Sequence, residues 1–139
     1  MKLITHSLFF AILTFISFFA QANSNPQMRE CRIRGGEFLA VAVNDDQVGL
    51  CQLGSAYIGA IDLMLVVNKE GMPKSVEMYT NGMKKCDPLG KAKTVSTLEG
   101  RELQVCFFDD GSAIGLATLH SGMDAPENSR LNQALNFKN

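Results

Sequence analysis

The chain predicts an α+β fold: two short repeats of a helix plus antiparallel β-strands, each with an internal disulfide, sharing one small domain. Three observations predict it. Four cysteines fall in two equal spacings, the segments around them resemble one another, and strand-like alternation is broken by Gly- and Asp-rich turns. With Met28 placed over Met83, an offset of 55 residues, "MREC" lies on "MKKC", Cys31 on Cys86, Gly35 on Gly90 and Cys51 on Cys106. Gly54-Ser55-Ala56 then matches Gly111-Ser112-Ala113 after two extra residues in the second copy. Ile58-Gly59 matches Ile114-Gly115, with Tyr57 as an extra residue in the first copy. Length changes of this kind are tolerated at turns. Four cysteines allow three pairings. A repeat that forms one supersecondary unit favours Cys31–Cys51 and Cys86–Cys106. Each bridge closes a loop of about 20 residues and contributes about 3 kcal/mol in the chain-entropy picture.

The organisation read from this is a signal peptide over residues 1–22, a first helix–β repeat and connecting hairpin over 23–79, a second helix–β repeat over 80–120, and a C-terminal helix over 121–139. In the first copy Asn25-Pro26 starts a helix, with Asn as the cap and Pro at the first helical position. Gly35-Gly36 ends it. "EFLAVAV" is a strand with Leu39, Val41 and Val43 on one face, "NDDQ" turns, and "VGLCQL" returns. Gly54-Ser55 turns into a third strand, "AYIGAIDLMLVV". Its apolar run Ala60 to Val67 reads first as buried core and second as an edge that pairs with a partner strand.

The second copy reads alike. Asn81 caps a helix through "GMKKCDPL", ended by Gly90. "AKTVSTL" and "ELQVCFF" are strands joined by "EGR", "DDGS" turns, and "AIGLATLH" closes the copy as a strand. Between the copies the chain turns at Lys69 to Met72; "KSVEMYT" either extends a hairpin or begins the second helix. Asp124, with Pro126 two residues on, starts the C-terminal helix "ENSRLNQALNF". Leu103, Val105 and Phe107 occupy one strand face, Cys106 and Phe108 the other. With both faces apolar, the copies form a continuous antiparallel sheet or pack face to face.

The first 22 residues read as a secretory signal. Lys2 precedes an apolar run from Ser7 to Ala20, and Ala20-Gln21-Ala22 is a small-x-small cleavage site. Export, with an even cysteine count, points to disulfides and a periplasmic or secreted location. Thirteen basic against 14 acidic residues, and no basic cluster longer than Lys84-Lys85, give no nucleic-acid footprint. After signal cleavage no stable membrane insertion is expected.

Chemistry-bearing patterns are sparse. His120 is the single histidine after residue 22, so a dyad built on histidine would have to use it. The pairs Asp45-Asp46 and Asp109-Asp110 lie in turns, where Asp fixes the turn. Calcium would need a D-x-D-x-D loop, and zinc short Cys/His spacings. Neither pattern is in the chain. No catalytic residue, metal site or cofactor is expected, and no carboxyl of strongly perturbed pKa in a cleft.

"NPQMRECRIRGG" (Asn25 to Gly36) and "CFFDDGS" (Cys106 to Ser112) resemble two parts of a small secreted bacterial domain, domain of unknown function 333, whose members carry a hemolysin label. Its opening pattern is N-P-x4-C-x3-G-G and its later one C-x2-P-D-G-S, with Asp109 here in the place of Pro. Ile114 stands where the family has a further Cys, and the chain has no Trp. The resemblance implies an envelope or secreted location, a small α+β fold and a bridge of the Cys31–Cys51 type. It implies no catalytic residues.

The expected function is therefore that of an exported, non-enzymatic binding protein, with an envelope or extracellular protein as partner and hydrolase inhibition as one form. The alternative is a structural envelope component that binds cell-wall polymer. The candidate binding turns are Asp45 and Asp46, and Asp109, Asp110, Gly111 and Ser112.

Overall fold

The computed structural model describes residues 25–135; residues 1–22, expected to be a signal peptide, lie outside them. Helix α1 (Pro26–Ile33) precedes strands β1 (Glu37–Val43), β2 (Asp46–Leu53) and β3 (Ala56–Gly59), followed by helix α2 (Ala60–Val67). The second half has the same order: α3 (Lys74–Thr80), β4 (Gly90–Thr97), β5 (Glu102–Phe108), β6 (Ala113–Gly115) and α4 (Leu116–Ser121). A 3-10 turn (Pro126–Asn128) and helix α5 (Ser129–Leu135) complete it. The mixed α+β class and both disulfides, Cys31–Cys51 and Cys86–Cys106, are as expected.

The strands form one closed antiparallel barrel in the order β1-β2-β3-β6-β5-β4. The sheet is thus continuous, and the face-to-face alternative is set aside. The halves meet at two seams. Ile58 pairs with Ile114 between β3 and β6, and Ala42 pairs with Ser96 between β1 and β4. Strand alternation divides the apolar residues into two cores. Leu39, Val41, Leu50, Val95 and Val105 fill the barrel. Cys51, Ile58, Cys106 and Ile114 face outward, beneath Leu63 of α2, Val76 and Tyr79 of α3, Leu119 of α4 and Leu131 of α5.

Several local expectations are corrected. "AIDLMLVV" is helix α2, not strand. Pairing stops at Gly59 although β2 itself runs on to Asp46, and Ala60, Leu63 and Val67 recur at helical spacing on the core side. For the same reason "LATLH" is helix α4, and β6 has only three residues. "KSVEMYT" is helix α3, entered from Pro73, and Asn81 is its C-terminal cap rather than the start of a helix. "GMKKCDPL" is irregular; Pro88 disfavours helical backbone at Asp87, and Gly82 has φ of 78°. No hairpin therefore connects the halves; α2 and α3 do. The C-terminal helix begins with a 3-10 turn, and the part of it expected beyond residue 135 lies outside the described residues.

Asn25 does cap α1, its Oδ1 accepting the N–H of Gln27 at 3.2 Å. Gly36, not Gly35, is the counterpart of Gly90. A Cβ on Gly36 would stand 2.5 Å from Cys51 Sγ, and one on Gly90 2.6 Å from Cys106 Sγ. Each disulfide lies against a bare backbone. Tyr57 is likewise not an extra residue: it lies opposite Gln52 as Ala113 lies opposite Phe107. The turn after β5 is simply one residue longer than the turn after β2.

Candidate functional site

Asp62 is the one charged residue of the apolar run Ala60 to Val67. In a strand it would alternate with its neighbours. In α2 it occupies the first turn, directed inward and only 6% exposed. Gly59 makes room for it, since any Cβ there would collide with its Oδ2. That oxygen accepts the N–H of Ala113 at 2.8 Å and the hydroxyl of Ser75 at 2.9 Å. Asp62 thereby ties α2 to β6 and to α3.

The "DDGS" turn completes the network. Asp110 Oδ2 accepts the N–H of Lys74 at 2.8 Å, and its Oδ1 accepts the N–H of Ser112 at 3.0 Å. Ser112 Oγ donates to Asp110 and accepts the N–H of Ser75 at 2.9 Å. The free N–H groups at the start of α3 are satisfied by the turn rather than by a cap of their own. Burial pushes the Asp62 carboxyl up to about 6. Hydrogen bonds from Ala113 and Ser75 oppose the shift, and the charge of Asp110 adds to it. Burial alone would also raise Asp110. There the bonds from Ser112 and from the Lys74 N–H outweigh it, and the carboxyl lies below its ordinary value. The expectation that no perturbed carboxyl lines a cleft is therefore corrected by Asp62.

Two adjoining spaces open over this network. The outer groove, about 500 Å³, is bounded by Ile61, Leu65, Met72 and Pro73 and floored by Asp62, Asp110 and Ser112. The inner one, about 200 Å³, shares Ile61, Asp62 and Gly111 and reaches Gln27, Gly49 and Ala113. Ile61 and Met72 on the rim are 51% and 53% exposed. A separate cleft of about 510 Å³ is lined by Lys74, Leu89, Lys91, Lys93, Phe107 and Asp109, with Lys93 Nζ 5.6 Å from the Phe107 ring centre.

Of the candidate turn residues, Asp110, Gly111 and Ser112 come together in the groove. Asp109 lines the lysine cleft. Asp45 and Asp46 are exposed where β1 turns into β2. Sequence reading missed Asp62, Ser75 and the Ile61–Met72 rim. The available signal was a lone Asp three residues after a Gly that ends a strand. His120 is exposed on α4, outside both walls of the groove. Among the described residues there is no free cysteine and no group of three His, Cys, Asp or Glu that could hold a metal ion. No described helix is long and apolar enough to cross a membrane. The groove can accept hydrogen bonds and positive charge, and it offers an apolar rim to the rest of a ligand. No protein-family model, curated protein or solved structure matches the chain.

Proposed function

We propose that this protein is an exported, disulfide-stabilised, non-enzymatic binding protein, acting in the periplasm or outside the cell, and that it binds a protein partner through the groove over Asp62. The carrying observation is the groove itself. Its walls are locked by hydrogen bonds from the Lys74, Ser75 and Ala113 N–H groups, while Ile61 and Met72 stay exposed on its rim. A rigid polar floor with an exposed apolar edge lowers the ordering cost of association. Inhibition of an envelope or foreign hydrolase is the specific form this arrangement suits. The paired disulfides support export, and the parallel element order supports an origin by internal duplication.

The test is photo-cross-linking from positions 61 and 72 of the exported, oxidised protein against envelope and culture-fluid proteins. A single protein linked from both positions, with the link from position 61 lost on Met72→Glu, is the expected result. Equal yields from position 61 and from a control position at Asp45 would overturn the reading.

A second reading has its own observation. The cleft of Lys74, Lys91, Lys93 and Phe107 offers three ammonium groups and an aromatic face, which suits an acidic cell-wall polymer and a structural envelope role. Co-sedimentation with purified sacculi, abolished by Lys91→Glu with Lys93→Glu, is its expected signature.

A further inference from the structure

Asp62 has a structural counterpart that carries no charge. Gly115 precedes Thr118 by three residues as Gly59 precedes Asp62, and a Cβ on Gly115 would stand 2.9 Å from Thr118 Oγ1. Thr118 Oγ1 accepts the Tyr57 N–H at 3.0 Å, the same bond that Asp62 Oδ2 makes to Ala113. A hydroxyl therefore suffices for the clasp. The carboxylate at Asp62 brings a charge the fold does not need, in a place where charge is costly.

Three further observations say what that charge would meet. No lysine or arginine of the described residues pairs with Asp62, and its Oδ1 has no hydrogen-bond donor among them. The Gln27 side chain lines the same inner cavity, and its Oε1, closed off behind the surface, is the one buried side-chain oxygen or nitrogen of the described residues without a partner. The outer groove is walled by Ile61, Leu65 and Met72, apolar groups of the kind that pack along a methylene stem.

We propose that the groove is a recognition pocket for a lysine or arginine side chain of the partner. The cationic head enters the inner cavity beside the Gln27 side chain and donates to Asp62 Oδ1. The stem lies in the outer groove against Ile61 and Met72. An ammonium or guanidinium supplies both a donor for Asp62 Oδ1 and the counter-charge the carboxylate lacks; a neutral amide supplies only the first. The raised pKa of Asp62 agrees with a carboxyl still waiting for its counter-charge. This pocket rests on the groove being the binding surface, as argued above.

The probes are Nα-acetyl-lysine methylamide, its arginine analogue, and the uncharged norleucine analogue. Each is titrated into the exported, oxidised protein at pH 7.5, with the Asp62 carboxyl carbon, the Gln27 side-chain amide and the Ala113 amide followed by NMR. The two cationic probes are expected to saturate at millimolar concentration and the norleucine analogue to bind at least about tenfold more weakly. Asp62→Asn keeps an acceptor for Ser75 and Ala113, so it is expected to fold and to lose the preference for charge. Equal binding of all three probes, or no saturable shift at these positions, overturns the proposal. Cross-linking of one partner from positions 61 and 72 without cationic preference overturns the basic anchor alone and leaves the binding surface standing. Cationic preference without any cross-linked protein supports the pocket and overturns the protein-partner reading.

Discussion

Asp62 Oδ2 and Thr118 Oγ1 each accept the N–H of a strand residue in the opposite half of the chain, Ala113 at 2.8 Å and Tyr57 at 3.0 Å. Each comes three residues after a strand-ending glycine and sits in the first turn of a helix. Where each strand gives way to its helix, a side chain of one half satisfies a backbone donor of the other. The barrel is therefore closed by side chains as well as by strand pairing. Asp62 Oδ2 accepts the Ser75 hydroxyl as well, and the two clasps differ above all in the negative charge on Asp62.

That difference predicts a pH dependence. The Asp62 carboxyl rises from 3.8 to about 6 on folding. The folded chain thus holds this proton more tightly than the unfolded one. The stability it contributes is fully present below about pH 3.8 and is lost as pH rises through about 6. The full loss is up to about 3 kcal/mol. Asp62→Asn should remove this decline and be more stable than wild type at pH 7.5, by urea unfolding at pH 4, 5, 6 and 7.5. Identical pH profiles for the two proteins would refute the assignment. The exposed Asp110, shifted the other way, adds a smaller loss of stability as pH falls, in both proteins.

Thr118→Val should behave oppositely. Valine keeps the shape but strands the Tyr57 N–H, which is costly at a part-buried site: about 1–3 kcal/mol. The loss should be independent of pH between 4 and 8. Calorimetric melting at both ends of that range checks it; a loss confined to one end would mean that a titrating group, not the clasp, is being disturbed.

Sequence and structure part company after the third strand of each half. The cysteine spacing, the strands "EFLAVAV" and "ELQVCFF" and the capped first helix were legible because turns, alternation and a cap residue are local signals. Helices α2 and α4 were not. Each is fewer than nine residues long and apolar enough to read as strand, and only the end of sheet pairing at Gly59 and Gly115 decides between the two. The site divides in the same way. Asp110 and Ser112 announce themselves in a turn, whereas Asp62 becomes part of a site only once its run is helical and directs it inward.

The disulfides depend on two glycines with no other evident duty. Any side chain at Gly36 or Gly90 would meet the sulfurs of its bridge. Gly90→Ala should leave Cys86 and Cys106 partly unpaired on oxidative refolding, with a stability loss approaching that of Cys86→Ser with Cys106→Ser, about 3 kcal/mol. Counting free thiols by mass spectrometry after alkylation checks it. Complete bridging in Gly90→Ala would mean the backbone yields more easily than the packing indicates.

Neither half should fold as a monomer. Cut between Gly71 and Met72, the first piece loses the Ile114 neighbour of Ile58, the Ser96 neighbour of Ala42 and the Thr118 acceptor for Tyr57. Those are the contacts that close the barrel. Because the two seams join like positions of the two halves, a second copy of the first piece offers Ile58 to Ile58 and Ala42 to Ala42 in similar register. The first piece alone is thus expected to be either unfolded or dimeric, and mixing it with the second should restore a one-to-one complex with both bridges intact. Sedimentation equilibrium with amide dispersion in NMR distinguishes these states. A folded monomer of either piece would show that the seams are not needed to complete a core, and would remove the main physical support for treating the halves as two units of one barrel.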